Sequence, residues 1–280
     1  MSTKTIPKII HQTYKTTELP EHWKESYTSW KALETQGWEY KFWTDISMRE
    51  FIATEYNWFL EHYDQYPKPI NRVDVWRYFA LYHYGGLYVD LDIVCKPREF
   101  LLYFNLLETE EVVLPQTKSG NGVEGQNLSN CMMLSQPHSN FWIHLWHLLK
   151  DPYRVTPYKA TVGTMSSYYN VLFITGPGIV SDAYHTYPQR DQIYLLPAQL
   201  CQPLDDSIPK PHDTRQSIVK IIDGSSWHEP SVNFWKSFGF FSKYGKEILG
   251  ILLACSFIVI IVLSVLLSKL SKASKTLSNK

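Results

Sequence analysis

The chain carries no net charge: 27 basic residues balance 27 acidic ones over 280 positions. A global pull toward polyanions is therefore missing, and no nucleic-acid partner is expected. Cysteine is scarce. Cys95, Cys131, Cys201 and Cys255 lack the paired spacings of a zinc site and demand no disulfide. Internal repeats and heptads are absent, which excludes solenoids and coiled coils. Met1–Lys8 is polar and Ile9-Ile10 is too short for the apolar core of a signal peptide, so none is expected there.

Aromatic residues are abundant instead, with 10 Trp, 19 Tyr and 13 Phe. Most must fill a core or line a cleft, because leaving them in water forfeits a large apolar area. Residues 1–245 suffice for one sizeable α/β domain or two small ones. Ile248–Ser268 is an uncharged apolar run. At a rise of about 1.5 Å per residue, it can span a hydrocarbon core about 30 Å thick. A C-terminal transmembrane helix is expected over 248–268, with a short basic tail at 269–280. Single-pass membrane localisation follows from that expectation, and lysines on both flanks leave the orientation open.

Apolar periodicity and turn residues predict strands at Ile6–Gln12, Trp38–Trp43, Leu87–Val94, Val112–Pro115, Ile193–Pro197 and Val219–Ile222, and Cys131–Leu134 resumes apolar character without a strand assignment. Helices are expected at Pro20–Leu33, Met48–Tyr63, Ile70–Tyr84, Asn140–Leu149 and Gly178–Tyr187. Their alternation predicts an α/β fold.

The densest information lies in Arg72–Asp92, RVDVWRYFALYHYGGLYVDLD. An apolar helix runs into Gly85-Gly86, then into an apolar strand that ends in two carboxylates. Strand side chains alternate, so Asp90 and Asp92 are expected on one side and Leu91 on the other. Two carboxylates in a drying cleft repel, and a divalent cation with phosphate oxygens would remove that cost. A diphosphate-containing substrate fits such a site. On the helix, Asp74, Arg77 and Tyr78 share a face. Asp74 can accept hydrogen bonds from sugar hydroxyls, and the Arg77 fork suits phosphate or sugar oxygens. A surface ion pair at helical spacing is the competing reading of Asp74 and Arg77.

These residues resemble family 32 glycosyltransferases, and among them the fungal mannosyl phosphorylinositol ceramide synthases. The resemblance is carried by IPKIIHQTYKT, LPEHWKE, FWTD, the Arg72–Asp92 block, ITGPG and GSSWHE, in order across about Ile6 to Glu229. It implies a GT-A-like nucleotide-sugar-binding fold with a central mixed sheet, and metal-dependent transfer with retention of anomeric configuration. Asp74, Arg77, Asp90 and Asp92 would be the catalytic set. Asp90, Asp92 and His228 would hold Mn2+, with Mg2+ as the alternative. Donor contacts would include His11, Gln12, Thr13, Asp74, Arg77, Tyr88, Asp90, Asn130, Ser226, Trp227 and His228. GDP-mannose is the implied donor and inositol phosphorylceramide, or a related glycolipid, the implied acceptor. The resemblance also implies Golgi or endoplasmic-reticulum membranes and a regulatory membrane subunit as partner. Competing readings are a transferase using another nucleotide sugar or a glycan acceptor, and a membrane-tethered protein that binds sugar lipid without turnover.

Overall fold

The structure is a computed structural model that describes residues 5–117, 128–155, 167–201 and 217–222. The chain divides into two units, Met1–Trp227 and His228–Lys280, and every described residue belongs to the first.

The chain enters along β1 (Ile9–Thr13), crosses through α1 (Lys24–Lys31) and returns on β2 (Glu39–Trp43), parallel to β1. Helices α2 (Asp45–Glu55), α3 (Asn57–Asp64) and α4 (Pro69–Tyr84) follow. Strands β3 (Gly86–Val89) and β4 (Ile93–Cys95), helix α5 (Pro97–Leu107), and strands β5 (Val112–Pro115) and β6 (Met132–Ser135) come next. Helices α6 (Asn140–Lys150), α7 (Ser167–Ile174) and α8 (Pro177–Thr186) lead to β7 (Ile193–Leu196), α9 (Ala198–Cys201) and β8 (Val219–Ile221).

Six strands form one mixed sheet in the order β2-β1-β3-β6-β5-β7. Only the β3–β6 and β6–β5 pairs are antiparallel. Helices cover both faces, so the central strands alternate between two cores rather than between core and water. Tyr88 and Met133 join the core under α4 and α6, whereas Leu87, Val89, Met132 and Leu134 join the core under α1 and α5. This mixed α/β sheet is consistent with a GT-A-like fold.

Local chemistry sets the elements that reach the site. Thr44 caps α2, and its hydroxyl accepts from the Ser47 N–H in a capping box. Pro69 opens α4, where its missing N–H costs nothing, and Gly85 closes it. Gly85 and Gly86 adopt φ of 66° and 89°, a region that side-chain-bearing residues avoid. A Cβ on Gly86 would run into the Ile9 carbonyl oxygen, and one on Gly85 would lie 2.8 Å from Pro137. The pair therefore lets α4 turn straight into β3 while β3 lies tight against β1.

Three sequence expectations change. The single strand expected over Leu87–Val94 is two strands in different sheets, because β3 ends at Val89 and β4 pairs with β8. Leu87, Val89, Leu91 and Ile93 are all buried, so the apolar pattern runs through the bend without marking it. The helix expected over Met48–Tyr63 breaks at Tyr56, whose φ of −136° and ψ of 44° leave the helical region. The third correction concerns the membrane. Among the described residues no helix is long and apolar enough to cross a bilayer. The transmembrane helix expected over 248–268 lies outside those residues, and the membrane-helix part of the fold class, with the single-pass membrane localisation built on it, is withdrawn. Cys95, Cys131 and Cys201 are free thiols.

Candidate active site

The acidic pair sits on a short turn held from several sides. The Asp90 N–H donates to the Cys131 carbonyl at 2.8 Å, anchoring the turn to the neighbouring strand β6. Ile93 N–H closes the turn onto the Asp90 carbonyl at 3.2 Å, and Gln12 Nε2 reaches the same oxygen at 3.3 Å. From α1, Ser26 Oγ and Trp30 Nε1 both donate to the Ile93 carbonyl, at 2.6 and 2.8 Å. The Ile222 N–H donates to the Asp92 carbonyl at 2.8 Å. With these backbone groups of Asp90, Asp92 and Ile93 hydrogen-bonded, the turn can hold two carboxylates that would otherwise push apart.

Beside it, α4 contributes a buried ion pair. Arg77 lies 3.0 Å from Asp74 Oδ1 and 3.2 Å from Asp90 Oδ1, so one guanidinium bridges the helix and the turn. It also donates to the Asn130 carbonyl at 2.7 Å and lies over the Tyr88 ring, 4.3 Å from its centroid. Burial disfavours its charge, but Asp90, Tyr88 and Asp74 together outweigh that and keep it protonated. The Tyr88 hydroxyl donates to Asp90 Oδ1 at 2.6 Å. The same phenol pairs with the Thr13 side chain at the end of β1. Asp74 accepts from Asn130 Nδ2 at 2.9 Å on one oxygen and from the Thr175 hydroxyl at 3.1 Å on the other. Burial raises the Asp74 carboxyl to about 6 despite Arg77.

Asp92 differs. Its Oδ1 is buried with no hydrogen-bond partner. Burial, reinforced by the charge of Asp90, pushes this carboxyl up to about 7. Burial also raises Asp90, against the pull of Arg77, while its side chain keeps 30% of its surface open. A divalent cation would supply what Asp92 lacks, so this donor set fits a hard, oxygen-liganded ion. Among the described residues no cluster of three His, Cys, Asp or Glu could hold a metal alone. Two carboxylates completed by phosphate oxygens and water match the way Mg2+ and Mn2+ are commonly bound.

The structure thus brings Thr13, Asp74, Arg77, Tyr88, Asp90 and Asn130 into one network, with Asp92 beside it. Two expected donor contacts have interior partners. His11 is fully buried, with Nε2 on the Gly85 carbonyl at 3.0 Å and Nδ1 accepting from the Trp43 indole at 3.2 Å. Burial lowers it to about 4, so it is neutral. The Gln12 amide is shared among Ser26, Tyr40 and the Asp90 carbonyl. Ser226, Trp227 and His228 lie outside the described residues. Sequence reasoning did not connect Asn71, Thr175, Ser26 or Trp30 to the site. Thr175 was visible only as part of ITGPG, and its contact with Asp74 spans 101 residues of chain.

Comparison with known proteins places this geometry in a class. Residues 20–112 match the model of a glycosyltransferase sugar-binding region containing a DXD motif. The chain therefore carries a glycosyltransferase domain of that class. It is related to the fungal inositol phosphoceramide mannosyltransferases at moderate identity. Inositol phosphoceramide mannosyltransferase 3 of Schizosaccharomyces pombe is 35% identical over 82% of this chain and 58% of the relative. Mannosyl phosphorylinositol ceramide synthase SUR1 of Saccharomyces cerevisiae is 34% identical over 86% of this chain and 60% of the relative. The chain spans about three-fifths of these relatives. The ligand-free glycosyltransferase domain of the YGT toxin is a remote likeness, 10% identical with a TM-score of 0.45 over 69% of this chain and 80% of that one.

Proposed function

We propose that this chain is a metal-dependent retaining glycosyltransferase that moves mannose from GDP-mannose to inositol phosphorylceramide. One observation carries the metal-dependent part: a buried, unpartnered carboxylate oxygen on Asp92 beside a second carboxylate, on a turn braced by two strands and a helix. The relatedness to fungal mannosyltransferases supports the donor and acceptor.

In this reading Asp92 holds the cation most directly and Asp90 supports it and faces the nucleotide's ribose. When bound, Mn2+ or Mg2+ would offset the charge of the departing diphosphate. Asp74 accepts from hydroxyls of the donor sugar. Arg77 acts chiefly as a positioning residue, since it ties Asp74 and Asp90 to each other and fixes the sugar against the diphosphate. Asn130, whose amide already reaches Asp74, supports donor and acceptor hydroxyls without adding charge. No side chain is assigned as a covalent nucleophile.

The test is transfer itself. Purified protein is incubated with Mn2+, inositol phosphorylceramide and a panel of nucleotide sugars, and products are weighed by mass spectrometry. Addition of one hexose with GDP-mannose, abolished by chelation, is expected. A hexose added from a different nucleotide sugar would replace the donor, and release of free sugar or phosphate without transfer would sink the proposal.

A further inference from the structure

We propose that Gln12 and Ser26 are positioning residues for the cation: together they fix the spacing of the Asp90 and Asp92 carboxylates and so the size of ion the turn accepts. The inference rests on the metal-dependent reading above, and it gives Gln12 a role other than the donor contact expected of it.

Gln12 lies on β1 and is fully buried, as is Ser26 on α1. The Gln12 Nε2 donates to Ser26 Oγ at 3.1 Å and to the Asp90 carbonyl at 3.3 Å, and its Oε1 accepts from the Tyr40 hydroxyl at 2.7 Å. Ser26 Oγ in turn donates to the Ile93 carbonyl at 2.6 Å. One junction therefore holds the two carbonyls on either side of Leu91 and Asp92, and it ties β1, β2 and α1 to the turn. A carboxamide suits this position because it offers two N–H donors and an acceptor without charge. Glutamate would lose both donors, and an apolar side chain would leave the Tyr40 hydroxyl without its acceptor.

The two carboxylates depend on this junction unequally. Asp90 is also held through its side chain, by the Tyr88 hydroxyl at 2.6 Å and Arg77 at 3.2 Å. Asp92 Oδ1 has no hydrogen-bond partner, so the backbone sets where it stands. Releasing the Asp90 and Ile93 carbonyls would let Asp92 drift relative to Asp90. A small octahedral ion needs a fixed ligand spacing, whereas Ca2+ tolerates longer and more variable contacts. A slackened turn therefore loses Mn2+ more than Ca2+.

The test is Mn2+ binding to the full chain in the presence of GDP, followed by electron paramagnetic resonance with Ca2+ as competitor. Ser26→Ala and Gln12→Met remove the junction's donors to the turn. Ser135→Ala is the control. It takes an equally buried hydroxyl, which accepts from the Trp142 indole at 2.8 Å and sits opposite Gly86, at the other end of β3. Both junction variants should bind Mn2+ about tenfold more weakly, the low end of what partners of a metal ligand contribute. Their affinity for Ca2+ relative to Mn2+ should rise. Ser135→Ala should melt lower and keep the wild-type Mn2+ affinity and ratio. If Gln12→Met fails to fold, Ser26→Ala decides. A wild-type Mn2+ affinity or a wild-type ratio in Ser26→Ala, or an equal change in Ser135→Ala, would overturn the inference while leaving the transferase reading intact. Failure of the wild type to bind Mn2+ with GDP would remove both.

Discussion

Asp74 is a buried carboxylate and Asp92 a half-buried one with a buried oxygen, and the two differ in what they touch. Asp74 receives Arg77, Asn130 and Thr175 on its two oxygens, all from within the fold. Asp92 has a braced backbone but leaves Oδ1 with nothing. A paired buried charge is a structural element, and removing its partner leaves an expensive orphan. A buried carboxylate oxygen without a partner is costly, and a bound cation would offset that cost. The helix side of the site is thus satisfied from within, and the turn side keeps an oxygen that a cation could take up.

That contrast can be broken most severely at Asp92. Asp92→Ala should cut metal-dependent transfer by about a thousandfold or more. Its melting temperature in chelator should stay level or rise, because a buried, unpartnered carboxylate oxygen has gone. Full turnover in this variant would remove the metal role. Arg77→Met should act on the opposite side, on stability. It leaves Asp74 and Asp90 without their shared cation, at a cost of about 3 kcal/mol or more in urea unfolding. A cost near zero would mean that the pair is solvated.

A pH series sharpens the difference. The Asp92 carboxyl is raised to about 7 in the fold, above its ordinary value of 3.8. Between those values the folded state holds a proton that the unfolded state has released. Its contribution to stability is therefore present at low pH and lost as pH rises toward 7 in metal-free protein. Asp92→Asn should lack that decline. Cation and proton compete for the same oxygens, so Mn2+ affinity should rise about tenfold from pH 6 to pH 8. A flat profile would contradict the raised carboxyl. The smallest effect is expected at Thr175→Val, which removes one of the donors to Asp74 and should cost about 1 kcal/mol. Parallel unfolding and transfer assays would show whether Asp74 tolerates that loss.

Much of this architecture can be read from local pattern. The span of α4, its Gly-Gly exit and β5 follow from turn chemistry and apolar runs. The acidic pair was visible for the same reason, as polar residues ending an apolar run. Its bend was not, since burial on both sides of the turn keeps the apolar rhythm unbroken. The long-range partners were also out of reach. Thr175 meets Asn71 across 104 residues and Asn130 meets Asp74 across 56, with no periodicity linking them. His11 illustrates a third limit. A histidine at a strand end suggests a ligand contact, yet here the Trp43 indole and the Gly85 carbonyl hold both ring nitrogens.

Manganese binding followed by electron paramagnetic resonance, on wild type, Asp92→Asn and Asp74→Asn in the presence of GDP, separates the two carboxylates directly. We expect Asp92→Asn to weaken Mn2+ binding by about tenfold or more and Asp74→Asn to leave it within about twofold. Wild-type affinity in Asp92→Asn, or an equal loss in both variants, would contradict the assignment of the unpaired carboxylate as the cation's seat.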